Sequence, residues 1–343
     1  MESEQLLLDK ISKAYNLSKL SFLREPEKGI STKNIIASAE GGKEYFIKRY
    51  KKADLDKIEN SERSAKFISE NSDIPVVLPL KNNKGELHIL IDGQQYCVFS
   101  YIPNTETRPN YEVERIVYIK NIGEMLGRIH SVFQGASISK TIKPISAWTL
   151  DDNMESIAKY EKILELIKNK SDLDEYDKKA IEFINLKISL LKKNEFIRKE
   201  KQSVAVCHGD YHGRNILFDE QWKIIGVCDW DMSGIGNPYS EFIRSFNMCI
   251  VRRDFDRLED KKNETKVFLD SYISKCGFEF DISELEYAIE AWYEKLLTSE
   301  WPLSDHYYFG HSKTDPSLHS EFNKVIFLQD KRKQLLELIK SCL

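Results

Sequence analysis

Short β-rich runs dominate this chain up to Pro103 and helical patterns beyond it, and that change restricts the fold more than any other feature. Before it, SKLSFL, KNIIASA, KEYFIKRY, ELHILID and QQYCVFSYI are short β-rich runs, with turn material such as EGGK and NNKG between some of them. They predict hairpins of an antiparallel sheet. Leu6, Leu7, Ile11 and Tyr15, at three- and four-residue spacing, predict a short amphipathic helix ahead of the sheet. A second helix, DLDKIENSERSAKFISEN, interrupts the strands, and there Ile58, Ala65 and Ile68 share a face with Glu62. A carboxylate on an apolar face asks for a partner.

Beyond Pro103 helical patterns dominate, for example RIVYIKNIGEMLGRIHSVF, DNMESIAKYEKILELIKN and YDKKAIEFINLKISLLKKN, the last with Ile181, Ile184, Ile188 and Leu191 on one stripe. Two β-like stretches, VAVCH and NILFD through KIIGVCDW, break the helices, and helices return to the end. The expectation is an α+β chain: a small antiparallel-sheet lobe over 1–103 and a larger, mainly helical lobe over 104–343.

The 343 residues suffice for one large domain or two ordinary ones. A net charge of −4 argues against a dedicated nucleic-acid binder, and the short basic run KRYKK reads as Lys48 directed into a cleft with Arg49, Lys51 and Lys52 solvated. MESEQLLLDK lacks the basic and apolar segments of a signal peptide, and no eighteen consecutive residues are apolar, so a cytoplasmic protein without membrane association is expected. Six cysteines are scattered singly, which reads as reduced, mostly buried thiols.

CHGDYHGRNILFD, residues 207–219, concentrates ionisable chemistry. Asp210 and Asn215 lie five apart on a loop, and the hairpin NILFDEQWKIIGVCDWD returns Asp229 to their side. Three converging oxygen donors suit phosphoryl transfer, where positioning and metal-assisted charge neutralisation lower most of the barrier. In that chemistry Asp210 takes the proton of an acceptor hydroxyl, and Asn215 and Asp229 offer hard oxygen ligands to Mg²⁺. Lys48, at the end of the run YFI, supplies a cation for the nucleotide phosphates, with Glu62 as the residue to fix it.

HGDYHGRNILFD followed by IIGVCDWDMSGIGNPYSEF closely resembles the catalytic and metal loops of the aminoglycoside phosphotransferase and choline kinase superfamily, small-molecule relatives of protein kinases. YFIKRY, the helix with Glu62, YCVFSYIPN and IGEMLGRIHSV agree in order, so the resemblance spans essentially the whole chain. It implies a protein-kinase-like two-lobed fold and transfer of the γ-phosphoryl of ATP or GTP to a hydroxyl of a small acceptor, either a cationic one such as an aminoglycoside or choline or an amino acid or sugar. It further implies Asp210 as base, Asn215 and Asp229 as Mg²⁺ ligands, Lys48 as phosphate-binding lysine, Glu62 as its partner with Glu59 as fallback, and the backbone of Ser100, Tyr101 and Ile102 beside the nucleobase. The resemblance also implies that His208 braces the loop and that Asp231 and Glu241 support it or the substrate site. The chain departs from protein kinases between its first strands, where REPEKGISTKN holds the single Gly29 and leaves Ser31 or Thr32 to donate hydrogen bonds to the phosphates.

Other readings compete. A kinase fold can bind nucleotide without turnover. A protein kinase is disfavoured because HGDYHGRN stands where an H-R-D-L loop would and no A-P-E segment follows. His208 and His212 could be zinc ligands of a hydrolase, but Gly209 and Gly213 disfavour a helix there and no third ligand is spaced for it. Trp292, Tyr293, Trp301, Tyr307, Tyr308 and Phe309 could form a cage for an ammonium, although packing is the commoner use of such rings.

Overall fold

The computed structural model describes residues 2–26, 34–50, 55–104, 112–135, 142–145, 148, 152–194, 196, 202–251 and 257–343. The chain falls into two compact units, the first of residues 1–121, 135–143 and 208–234, the second of 122–134, 144–207 and 235–343.

In the first unit a five-stranded sheet is ordered β1 (Leu20–Arg24), β2 (Ile35–Ala39), β3 (Glu44–Tyr50), β5 (Gln94–Ser100) and β4 (His88–Ile91). Every pairing is antiparallel. Strand alternation sorts the side chains of β3 between two faces. Tyr45 and Ile47 join Ala37, Tyr96 and Val98 in a core closed by Leu8 and Ile11 of helix α1 (Glu2–Ala14) and by Tyr15 just after it. On the opposite face Tyr50 and Cys97 pack with Ile58 of helix α2 (Leu55–Glu70). Lys48, directly across from Cys97 in the ladder, shares the α2 face. The stretch 208–234 packs with this unit and contains the hairpin β7 (Ile216–Phe218) and β8 (Ile224–Val227). Val227 is in turn tied to the segment after α2, its N–H donating to Pro75 O (2.8 Å) and its carbonyl accepting from Val77 N (2.9 Å).

Helix α3 (Glu112–Gly135) runs from the first unit into the second. The second unit is mainly helical: α4 (Asn153–Lys168), α5 (Glu175–Lys193), α6 (Pro238–Phe246), α7 (Lys262–Cys276), α8 (Ile282–Thr298), α9 (Leu303–Phe309) and α10 (Ser317–Lys340), with β6 (Ala205–Cys207) paired to β9 (Gly234–Gly236). Side-chain caps start several helices: Asp152, Asp174, Asn237 and Asp281 accept backbone N–H groups of the first turns of α4, α5, α6 and α8. Gly127 lets α3 approach α7, because a Cβ there would lie about 2.5 Å from the carbonyl oxygen of Tyr272. The apolar stripe of α5 is rotated from its expected course. Ala180, Phe183, Ile184, Lys187, Leu190 and Leu191 are buried while Ile181 and Ile188 are half-buried, so a lysine occupies a core position. All six cysteines are free, and only Cys228 is not fully buried. Among the described residues no helix is long and apolar enough to cross a membrane.

Candidate active site

The site grows from the loop between β6 and β7. Gly209 adopts φ +87°, and a side chain there would run into the backbone carbonyl of Met232, so the sharp turn needs glycine. His208 fixes this turn to the far strand of the hairpin. Its Nε2 donates to Cys228 O at 2.8 Å and its Nδ1 accepts from Asp210 N at 3.4 Å, which assigns the neutral Nε2–H tautomer. The imidazole also rests 4.7 Å from the Trp230 ring. His208 is therefore a brace.

Asn215 holds Asp210 directly, its Nδ2 donating to Asp210 O at 2.9 Å and to Asp210 Oδ2 at 3.4 Å. Ile216 pairs with Val227, and Cys228 N donates to Asn215 O at 2.9 Å, so the hairpin brings Asp229 to the loop as the spacing requires. Asp229 itself takes φ 62°, a left-handed conformation that asparagine and aspartate tolerate better than most residues. His212 is an addition to the expected set: its Nδ1 accepts from Arg214 N at 3.2 Å, leaving Nε2 to face Asp210 Oδ2 at 3.3 Å.

Lys48 reaches this cluster from β3. It is 8% exposed, and its Nζ lies 2.6 Å from Asp229 Oδ1 and 3.0 Å from Asp231 Oδ2. Burial by itself would push the ammonium down, but the two carboxylates outweigh it and hold the amine protonated well above its ordinary range. Burial likewise works to raise Asp229, and the charge and hydrogen bond of Lys48 reverse that and lower it. The neighbouring thiols add no charge: Cys97 and Cys228 are each pushed up to about 12, first by burial and then by nearby carboxylates. Glu62 is not brought to Lys48; among the described residues the ion-pair partners of the lysine are Asp229 and Asp231. Glu59 is instead paired with Arg63 at 3.4 Å.

Ser100 ends β5 opposite Tyr45, and Tyr101 N donates to Glu44 O at 3.0 Å, with Ile102 following. The Tyr101 hydroxyl accepts from Arg24 at 3.2 Å. Gly29, Ser31, Thr32, Lys51 and Lys52 lie outside the described residues.

The ring nitrogens of His208 and His212 have the partners given above, Cys228 O, Asp210 N, Arg214 N and the Asp210 carboxylate. The described residues do bring His130, Cys207 and Glu241 together in the second unit, their ligating atoms within 4.8 Å of one another. Their polar atoms satisfy one another there: His130 Nε2 lies 3.0 Å from Glu241 Oε2, His130 Nδ1 lies 2.8 Å from the Tyr272 hydroxyl, and the Cys207 thiol is hydrogen-bonded to Glu241. Trp292 and Tyr293 are core residues, whereas Trp301, Tyr308 and Phe309 are exposed.

Residues 23–264 match the sequence model of the phosphotransferase enzyme family. The chain belongs to that family. The α+β, kinase-like fold expected above is accordingly the fold of a phosphotransferase, and solved structures agree across nearly the full length. A microcompartment-associated aminopropanol kinase is similar with a TM-score of 0.61 at 12% identity, covering 96% of this chain and 97% of that one. A spectinomycin phosphotransferase in complex with ADP and spectinomycin is similar with a TM-score of 0.58 at 16% identity, covering 98% of both chains. An amicoumacin kinase in complex with AMP-PNP, Ca²⁺ and Ami is similar with a TM-score of 0.53 at 16% identity, covering 93% of both. No curated protein matches by sequence.

Proposed function

We propose that this phosphotransferase transfers the γ-phosphoryl group of ATP or GTP to a hydroxyl group of a small, amine-bearing acceptor, with Asp210 as catalytic base. The observation that carries the reading is the junction of Asn215, Asp210 and Lys48–Asp229 within one compact unit, a base, hard oxygen donors and a buried cation on adjoining backbone. The donor set fits Mg²⁺. The Asn215 amide gives its hydrogens to Asp210, and among the described residues neither its Oδ1 nor Asp229 Oδ2 takes a hydrogen bond. Those two oxygens would hold the ion, which neutralises phosphate charge when bound.

The chain's own groups do the rest. Asp210 accepts the hydroxyl proton as the acceptor oxygen forms its bond to phosphorus and the bond to the β-phosphate oxygen breaks, releasing the nucleoside diphosphate. Asn215 and His212 orient the Asp210 carboxylate, and Lys48 meets the phosphates as a cation. The backbone of Ser100, Tyr101 and Ile102 lies beside the nucleobase in this reading, with the Tyr101 N–H already donating to Glu44 O. An amine-bearing acceptor is supported by the structural relatives, whose printed names include aminopropanol and spectinomycin. The test is nucleoside diphosphate release from ATP or GTP with Mg²⁺ across amino alcohols, aminoglycosides, choline, amino acids and sugars. Acceptor-dependent release by the wild type, lost in Asp210→Ala, supports the reading. Transfer of label only to polypeptide in a lysate contradicts it.

A further inference from the structure

The two carboxylates on Lys48 are unequal. Asp229 is 44% exposed at its side chain and is also the proposed ligand of a metal ion, whereas Asp231 is 13% exposed. Both oxygens of Asp231 are engaged: Oδ2 faces Lys48 at 3.0 Å and Lys57 at 3.9 Å, and Oδ1 accepts from the Tyr50 hydroxyl at 2.8 Å. Tyr50 follows Lys48 by two residues on β3, so both point to the same face, and the lysine Nζ lies 5.2 Å from the centre of its ring. The turn carrying Asp231 is fastened to α2 through another residue. Asn60 Nδ2 donates to Ser233 O at 2.9 Å, and Asn60 Oδ1 accepts from Lys143 N at 2.7 Å. Thus α2 is docked on the 230–233 turn by Asn60, without an ion pair from Glu62 to Lys48.

We propose that Asp231, steadied by Tyr50, is the positioning residue of Lys48, filling the place expected of Glu62; this rests on the phosphotransfer reading above. A metal ion drawing on Asp229 would weaken one of the two ion pairs. The buried, doubly engaged Asp231 does not share that duty, so it keeps the ammonium in place with hydrogens free for phosphate. An amide at 231 would leave the buried ammonium with Asp229 alone.

The test compares ADP with adenosine as calorimetric probes, each with Mg²⁺, on the full chain. Wild type binds ADP more tightly than adenosine, and Asp231→Asn weakens ADP by about tenfold or more, the worth of a charge-assisted hydrogen bond. Adenosine affinity stays within about twofold, because only the phosphate-facing cation has been disturbed. Tyr50→Phe moves ADP in the same direction by less and carries the test if Asp231→Asn does not fold. Glu62→Gln costs less ADP affinity than Asp231→Asn. In a Lys48→Met background, Asp231→Asn has no further effect on ADP. Equal loss of ADP and adenosine in Asp231→Asn, or a larger loss in Glu62→Gln, overturns the assignment while leaving phosphotransfer intact. A wild type that distinguishes neither ADP from adenosine nor GDP from guanosine overturns the phosphotransfer reading itself, and this assignment with it.

Discussion

Among the described residues two lysines are buried, Lys48 in the first unit at 8% exposure and Lys187 in the second at 1%, and they keep their protons to opposite degrees. Lys48 touches two carboxylates and is held protonated beyond the ordinary range despite burial. Lys187 has neutral partners, donating to Ser299 O at 2.7 Å and the Tyr160 hydroxyl at 3.1 Å, with the Phe183 ring centre 4.4 Å away. Burial pulls its amine down to about 7, because Glu321 and Glu300 act only from a distance and offset part of the cost. The lesson is that burial by itself discharges a lysine, and a carboxylate in contact is what preserves the cation. A side chain that meets phosphates, as proposed for Lys48, needs the second arrangement of forces; one that ties a helix to a loop needs only its hydrogens.

The largest effect expected from breaking this contrast is on activity. Lys48→Met removes the cation and leaves Asp229 and Asp231 facing each other, so turnover should fall by about 10²–10³, as when a single preorganised charge-stabilising donor is removed. Lys187→Met should leave turnover near the wild-type level. Steady-state assays on both variants check this, and equal losses would erase the distinction between the two lysines.

The next effect is on stability and has a defined sign. An unfolded lysine keeps its proton to about pH 10, whereas folded Lys187 releases it at about 7. Between those values the unfolded chain binds more protons, so this group makes stability rise with pH, by about 1.4 kcal/mol per unit at most. Below pH 7 both states carry the proton and the contribution is flat at its least favourable. Urea unfolding of wild type and Lys187→Met from pH 6 to pH 9 should show a difference that grows above pH 7 in favour of the wild type; a constant difference would contradict the discharged lysine.

The smallest effect belongs to an exposed lysine. Lys10 pairs with Asp92 at 3.1 Å, with 42% and 80% of the side chains exposed. Solvent screens such a pair, so Lys10→Ala should change unfolding free energy by less than about 1 kcal/mol, and a larger loss would show that contact with a carboxylate matters regardless of burial.

The sequence made short-range relations legible and long-range ones only partly so. The strands of the sheet follow from alternation and turn residues, and the meeting of Asp210, Asn215 and Asp229 follows from a loop and one hairpin. The partner of Lys48 depends on how β3 meets a turn far along the chain, where Asp229, Asp231 and the α2 carboxylates are equal candidates by composition. Asp231 was legible as a supporting acid and Tyr50 was not, because its role comes from sharing a strand face with Lys48 while facing that turn. Lys187 was hidden for a related reason. Lysine at the edge of an apolar stripe usually extends its amine to water, and only the placement of Ser299 and Tyr160 reveals that this one cannot. By spacing His212 is as readable as a zinc ligand, and only the folded loop shows its contact with Asp210.

The most direct test of the central claim is a single-turnover experiment with the nucleotide, Mg²⁺ and the best acceptor, following the phosphorylated acceptor by ³¹P NMR in wild type and Asp210→Ala. The account predicts a phosphate ester on an acceptor hydroxyl in the wild type, and in the variant retained nucleotide binding with product formation slowed by at least about 10². Ester formation at the wild-type rate in Asp210→Ala would contradict the assignment of the base and, with it, the chemistry proposed for this site.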